Sequence, residues 1–275
     1  MRIRISHQTL YRYESPPAGV IQVLRLTPRN HDGQYVTDWR IDVSQECRLD
    51  SHEDAFGNLT HTFAAAGPFA ELSVLVEGEV ETRDTQGVIQ GAVERFPPTL
   101  FLRETALTAA DPAIADYARA IRSEAGDAML DILHVLLERI HRDIVYDTAP
   151  THAATTASEA FALRRGVCQD HAHIFIAAAR TLGIPARYAG GYFRRADELM
   201  QEEGGHAWAE AFVPELGWTG FDPANGICPT DAHVRVAVGL DYLGAAPVRG
   251  SRYGGGAEAL SVALRVDQAA RQMQD

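Results

Sequence analysis

The spacing of apolar and polar positions changes character along the chain. Up to about residue 100 the apolar residues alternate with polar ones in short runs. Ile3 and Ile5 form the first, Ile21-Gln22-Val23-Leu24-Arg25-Leu26 the second, and Asp38-Trp39-Arg40-Ile41-Asp42-Val43 the third. Glu71 to Val80 alternates in the same way, and Asp54 to Phe63 reads as a turn at Gly57-Asn58 leading into a short strand. A period of two marks strands with one buried face. Short strands separated by turn signals predict an antiparallel, sandwich-like β-rich domain over 1–98. No cluster in it carries obvious chemistry, so a structural or substrate-shaping role is expected.

Phe96-Pro97-Pro98 marks the expected boundary, because consecutive prolines stop ladders and helices alike. The period then becomes helical. Asp111-Pro112 is an N-cap with proline at the first helical position, opening a helix to about Ile121. Ile132, Leu133, Leu136, Leu137 and Ile140 predict a longer one, and Thr156 with Glu159 forms a capping box for a short one ending near Gly166. A further helix is predicted from Cys168 to about Leu182, stopped by Gly183-Ile184-Pro185. Strands follow at Ala186–Phe193, His206–Val213 and Gly217–Asp222, and another near Leu260–Val266. Arg194 to Gly205 is expected to be a polar surface loop, and Asp267 to Asp275 a fraying end. Residues 99–275 thus form a second, α+β unit carrying a C-terminal strand.

Chemistry concentrates in Arg164-Arg165-Gly166-Val167-Cys168-Gln169-Asp170-His171-Ala172-His173, followed by the apolar run Ile174 to Ala179. A glycine-punctuated turn delivers Cys168 onto the first turn of a buried helix. Backbone N–H groups there lack intrahelical acceptors and favour negative charge, such as a thiolate. A cysteine alone at such a place is usually a small apolar residue, so its partners decide the matter.

A thiol nucleophile needs a general base, and the base needs a group to orient it. Alternation puts His206 on one strand face with Trp208, Glu210 and Phe212, expected to be a cleft wall. Ala207, Ala209 and Ala211 on the other face suit close packing. Asp222 ends the next strand of a hairpin turning at Pro214-Glu215-Leu216-Gly217. If Val213 pairs with Trp218, Asp222 lies opposite Ala209, on the wrong face for His206. A one-residue change of register near Gly217–Gly220 would bring it onto the histidine face. A Cys168, His206, Asp222 triad therefore requires that shift.

Cys168, His171 and His173 raise a competing metal site. On a helix His173 points away from the other two, and one Cys-x-x-His pair is not a structural zinc signature, so no metal is expected. Gly190-Gly191 and Gly254-Gly255-Gly256 fit no phosphate or dinucleotide loop, so no cofactor is expected either. A net charge of −12 without a basic stripe argues against nucleic acid as a partner. No apolar stretch is long enough for a membrane span. The N-terminus alternates charged and apolar residues without a hydrophobic signal region. Three scattered cysteines (Cys47, Cys168, Cys228) do not form a disulfide framework. A soluble cytoplasmic protein with a free thiol is the expectation.

Four segments together resemble the bacterial transglutaminase-like proteins of the papain-like cysteine enzyme superfamily. They are Gly166-Val167-Cys168-Gln169-Asp170, Leu182-Gly183-Ile184-Pro185-Ala186-Arg187-Tyr188, His206-Ala207-Trp208-Ala209-Glu210 and Gly217-Trp218-Thr219-Gly220-Phe221-Asp222-Pro223. The first hundred residues also look like the β-rich domain that accompanies this core. The resemblance implies an α+β fold with a central helix against an antiparallel sheet. It implies Cys168 as nucleophile, His206 as base and then acid, and Asp222 as orienter. It also implies chemistry on the amides of peptide or protein substrates through a thioester. The Cys168 N–H is a candidate oxyanion donor, with Tyr146 or Gln169 as a second, and Trp208 a candidate substrate contact. Two positions depart from the family's pattern: His171 stands where relatives often have an aromatic residue, and Leu240 begins Leu240-Asp241-Tyr242 where relatives commonly show Arg-Asp-Tyr. Peptide or amide hydrolysis is the leading expectation, transglutaminase-type transfer to an amine the second, and a non-catalytic binding or scaffold module the alternative of another class.

Overall fold

The computed structural model describes residues 1–195 and 205–269. The N-terminal strands are β1 (Arg2–Tyr13), β2 (Gly19–Thr27), β3 (Gln34–Val43), β4 (Asp50–Glu53), β5 (Leu59–Ala66) and β6 (Glu71–Thr82). Next come β7 (Val88–Ile89), a 3-10 turn (Pro98–Leu102), α1 (Pro112–Ala125), α2 (Met129–Asp143), β8 (Val145–Tyr146), α3 (Ala157–Leu163), β9 (Arg165–Gly166) and α4 (Cys168–Thr181). β10 (Ala186–Phe193), β11 (His206–Val213), β12 (Gly217–Phe221), β13 (His233–Gly239), α5 (Tyr242–Ala245), β14 (Val248–Tyr253) and β15 (Glu258–Gln268) follow.

The strands make two four-stranded antiparallel sheets, ordered β15-β1-β6-β3 and β14-β2-β5-β4, and a five-stranded one, β13-β10-β11-β12-β7. Leu72, Val74 and Val76 of β6 meet Leu24, Leu26 and Phe63 between the first two sheets, which is the sandwich interior. The period of two explains it, since every second residue of β6 is buried. The α+β fold is as expected, but strands cross between the two expected units in both directions. The C-terminal strand was expected in the second unit, but β15 pairs along the whole of β1 and β14 pairs with β2. β7, conversely, pairs with β12. Ile3, Ile5 and Val80 also pack into the same apolar cluster as the helices. Alternation along a strand says which face is buried and nothing about which sheet it joins, so the sequence reading put the C-terminal strand in the wrong unit, and it read no strand at β14.

The helices begin where their caps stand. Asp111 Oδ1 accepts the Ile114 N–H at 2.9 Å, and Thr156 exchanges bonds with Glu159 at 3.2 and 2.9 Å. α4 is buried from Asp170 through Arg180. It lies between α1, α2 and α3 on one side and the β10–β11 face on the other. Ala207, Ala209 and Ala211 of β11 share its apolar cluster with Ala172, Phe175 and Ala179. Small residues on the strand let the helix lie close, as their alternation predicts.

Most of the loop expected over Arg194–Gly205 lies outside the described residues, as does the end of the expected frayed terminus. Asp267 and Gln268 belong to β15. Among the described residues no helix is long and apolar enough to cross a membrane.

Candidate active site

Cys168 is the first residue of α4 and is partly exposed. The turn before it is held from within the helix. Asp170 Oδ2 accepts the Val167 N–H at 2.8 Å and the Thr151 hydroxyl at 2.7 Å. A Cβ on Gly166 would meet that oxygen at 2.5 Å, so only glycine allows the carboxylate to close the turn. Burial outweighs the hydrogen bonds from Thr151 and Val167 and leaves the Asp170 carboxyl above its ordinary value. His171 is buried and does not reach the cleft; its Nδ1 and Nε2 face the carbonyls of Val167 and Ile144 at 2.9 and 3.2 Å. His173 accepts the Tyr242 N–H on Nε2 at 3.1 Å. Neither ring is available to Cys168 as a metal partner. At the departing Leu240, the carbonyl accepts Arg180 Nη2 at 2.8 Å, so α4 itself supplies the cation that meets this segment.

The hairpin register meets the requirement set by the sequence. Val213 pairs with Gly217, Phe212 with Trp218 and Ala209 with Phe221, without interruption. The loop is therefore three residues, Pro214 to Leu216, one shorter than a closure on Trp218. Leu216 N–H donates to Val213 O at 3.0 Å, and Gly217 takes φ +85°. A type I turn followed by a left-handed glycine is the usual three-residue closure. Continuing that register sets Asp222 opposite Trp208, on the His206 face, and His206 Nε2 lies 2.7 Å from Asp222 Oδ2.

Asp222 is fully buried and heavily supported. Its Oδ2 also accepts Asn225 Nδ2 at 2.7 Å and His233 Nε2 at 3.2 Å, and its Oδ1 accepts the Asn225 N–H at 3.2 Å. Thr230 N–H donates to His233 Nδ1 at 3.1 Å, so the ring's proton sits on Nε2 and points at the carboxylate. Burial alone would raise the Asp222 carboxyl. The attraction of His206 and the bonds from His206 and His233 outweigh burial and hold it well below the carboxylate range. Burial pushes His233 downward against the pull of Asp222, so it stays neutral at neutral pH. His206, Asp222 and His233 place three ligand-type atoms within 4.8 Å of one another. Both imidazoles already donate to one oxygen, so a cation would have to displace two hydrogen bonds. Asn225 was legible as an Asp-Pro-x-Asn turn; His233, on a strand outside the hairpin, carried no such signal.

Cys168 and His206 line one cavity of about 500 Å³. Tyr146 and Gln169 line it too, as do Tyr188, Tyr192 and Tyr242. Trp208 does not, and is 2% exposed, packed with Ala189, Val238 and Phe56. The rest of the His206 face is likewise no cleft wall. Glu210 is fully buried and binds Arg187 at 2.7 Å and Arg235 at 2.6 Å. Arg187 also holds Glu94 from the connecting segment and stacks over Trp218 at 3.8 Å. This buried ionic layer ties β10, β11 and β13 together beneath the histidine, and sequence alternation could not tell such a layer from an open wall.

A helix-borne cysteine and a strand-borne histidine backed by an aspartate, brought to one cavity where the helix packs on an antiparallel sheet, make the papain-like arrangement. Family models match at residues 3–81 (bacterial transglutaminase-like N-terminal region) and 115–223 (transglutaminase-like superfamily). An uncharacterized Mycobacterium leprae protein is 30% identical over 283 residues, covering 98% of this chain and 99% of its own. The protein-glutamine gamma-glutamyltransferase of Pseudomonas aeruginosa is 32% identical over 158 residues, 50% of this chain and 23% of that protein. A solved structure from Cytophaga hutchinsonii, described as a candidate cysteine protease, shares the fold over 100% of this chain and 92% of its own. Its TM-score is 0.77 at 19% identity. The chain belongs to the bacterial transglutaminase-like proteins, within a superfamily of cysteine-dependent enzymes.

Proposed function

We propose that the protein hydrolyses amide bonds of peptide or protein substrates, with Cys168 as nucleophile, His206 as general base and acid, and Asp222 as the group orienting His206. One observation carries this reading: the cysteine and the histidine line the same cavity, and the histidine is backed at 2.7 Å by a buried carboxylate. Because Nε2–H donates its hydrogen bond to Asp222, Nδ1 is the atom that receives a proton from the thiol. The sulfur then attacks the acyl carbon, and the negative oxygen is met by first-turn N–H groups of α4, with Tyr146 or Gln169 beside it. His206 returns the proton to the nitrogen as the C–N bond breaks, leaving a thioester and a free amine. Water, deprotonated by His206, attacks the thioester; the C–S bond breaks and the thiol is restored. A cytoplasmic site of action fits the three unpaired cysteines and is tested by cell fractionation.

Acyl transfer to an amine is the second reading, favoured by the name of the Pseudomonas aeruginosa relative. Hydrolysis ranks first because water is always at hand, while transfer needs a site that admits an amine and excludes water. Ammonia release from glutamine peptides, with and without a primary amine, separates them. The shared step is tested by iodoacetamide labelling of Cys168 at neutral pH. Wild-type protein is expected to react roughly a hundredfold faster than His206→Ala, the lower end of what an acid–base partner contributes. Equal rates would mean a thiol without a working base, and would favour the scaffold alternative.

A further inference from the structure

The cavity has a second chemical feature, on the side supplied by the N-terminal strands. Arg25 and Leu26 of β2 and His7 of β1 line it together with Cys168 and His206. Arg25 is locked in place. Its N–H donates to Pro247 O at 2.8 Å, and its Nε donates to Asp54 Oδ2 at 2.9 Å. Asp54 is held in turn: Oδ1 accepts the N–H groups of Phe56 and Asn58 at 2.9 and 3.0 Å, and Oδ2 accepts Asn58 Nδ2 at 3.0 Å. Asn58 is stitched to β13 by bonds of 2.8 Å to both the N–H and the carbonyl of Val238. The β domain thus presents one arginine to the cleft from a fixed mount.

That arginine is only partly used. A guanidinium has five donors, and Asp54 takes the one on Nε. Neither Nη atom has a hydrogen-bond partner among the described residues; Nη1 is sealed off, and Nη2 is the donor left accessible. An accessible guanidinium donor in the wall of the thiol's cavity can take a carboxylate oxygen. The charge balance of the wall points the same way. Arg25 lines the cavity and, among the described residues, no carboxylate does, so an incoming anionic group meets no like charge in the wall.

We propose that Arg25 receives a substrate carboxylate, so that the preferred amides carry an acidic side chain or a chain-terminal carboxylate near the scissile bond. This rests on Cys168 being the reacting thiol. Asp54 and Asn58 act through Arg25 and are positioning residues.

The test compares alkylating probes of equal shape and different charge. N-chloroacetyl-β-alanine and N-chloroacetyl-4-aminobutyrate carry a carboxylate at two distances from the reacting carbon; their N-methylamides are neutral. The readout is the ratio of anionic to neutral labelling rate at Cys168, referred to the same ratio for glutathione. Wild-type protein is expected to favour the anionic probe roughly tenfold at one chain length or both, the scale of one charge-assisted hydrogen bond. Arg25→Gln is expected to bring the ratio down to that of glutathione, and Arg25→Lys to recover part of it. A ratio unchanged in Arg25→Gln, or no anionic preference in wild type, overturns the proposal. If Arg25→Gln does not fold, wild-type protection against iodoacetamide decides. N-acetylglutamine offers only a main-chain carboxylate and N-acetylglutamate α-amide only a side-chain one. Protection by either beyond that given by N-acetylglutamine α-amide supports the subsite and identifies the source; equal protection by all three overturns it. Failure of Cys168 activation is read separately, from the neutral probe in wild type and His206→Ala.

Discussion

His233 is the residue whose role is least apparent from its position in the chain. Two imidazoles and one amide converge on Asp222 Oδ2, and the second imidazole is fixed in its tautomer by the Thr230 N–H. A carboxylate held from three sides cannot rotate away when His206 becomes an imidazolium, so the orientation of the base is set before substrate arrives. His233→Phe removes a hydrogen bond to a buried charge, a loss of about 1.5–3 kcal/mol. The expected outcome is iodoacetamide labelling of Cys168 slowed by roughly tenfold, on the scale where each 1.4 kcal/mol is a factor of ten. His233→Gln, which keeps a donor, is expected to recover much of the rate. Rates in both variants equal to wild type would show that Asp222 needs no second imidazole.

One hairpin decides whether the site exists. The faces of β11 are set by its alternation, but Asp222 reaches the right face only because the loop closes on Gly217. That closure requires φ +85°, where a side chain costs about 1–2 kcal/mol. Gly217→Ala is therefore expected to lower the unfolding free energy by about that amount and to slow Cys168 labelling as strained molecules shift register. Gly217→Asn should do less on both counts, because asparagine tolerates this conformation better. Thermal melting alongside labelling checks the order Gly, Asn, Ala; an alanine variant matching wild type in both would break the link between turn and site.

The molecule as a whole should be sensitive to acid, for reasons spread over both units. Burial lowers His7 and His173 from 6.5 to about 4. The unfolded chain therefore binds protons at these rings that the folded protein refuses, and stability falls as pH drops from 6.5 towards 4. Each ring contributes a slope of up to about 1.4 kcal/mol per pH unit. For Glu210, burial works upward but Arg235 and Arg187 outweigh it, moving the carboxyl from 4.5 to about 2. Its contribution is present above 4.5 and is lost as pH falls towards 2. Urea midpoints measured against pH are expected to decline across both windows. His173→Gln, whose amide oxygen can accept the Tyr242 N–H, should flatten the upper one. A flat wild-type profile from 6.5 to 4 would contradict neutral buried histidines.

Local order was legible because it is local. Caps at Asp111 and Thr156, the breaks at Gly183 and Pro185, and the periods of two and 3.6 act within a turn or two of chain. They gave the main helices, most of the long strands and the placement of Cys168 at a helix start, but not β13 or β14. The resemblance of four short segments added the pairing of that cysteine with His206 and Asp222. Sequence even stated the condition for the triad, one residue of register, without being able to say whether it was met. What remained depended on contacts between distant segments, which no spacing encodes. The burial of Trp208 and Glu210, the capture of Asp222 by His233, the return of β14 and β15 to the first sheets, and Arg25 in the wall of the cleft are all of this kind. Alternation fixes a side chain's face; only the packed sheets decide whether that face meets solvent, a counter-ion or the thiol at Cys168.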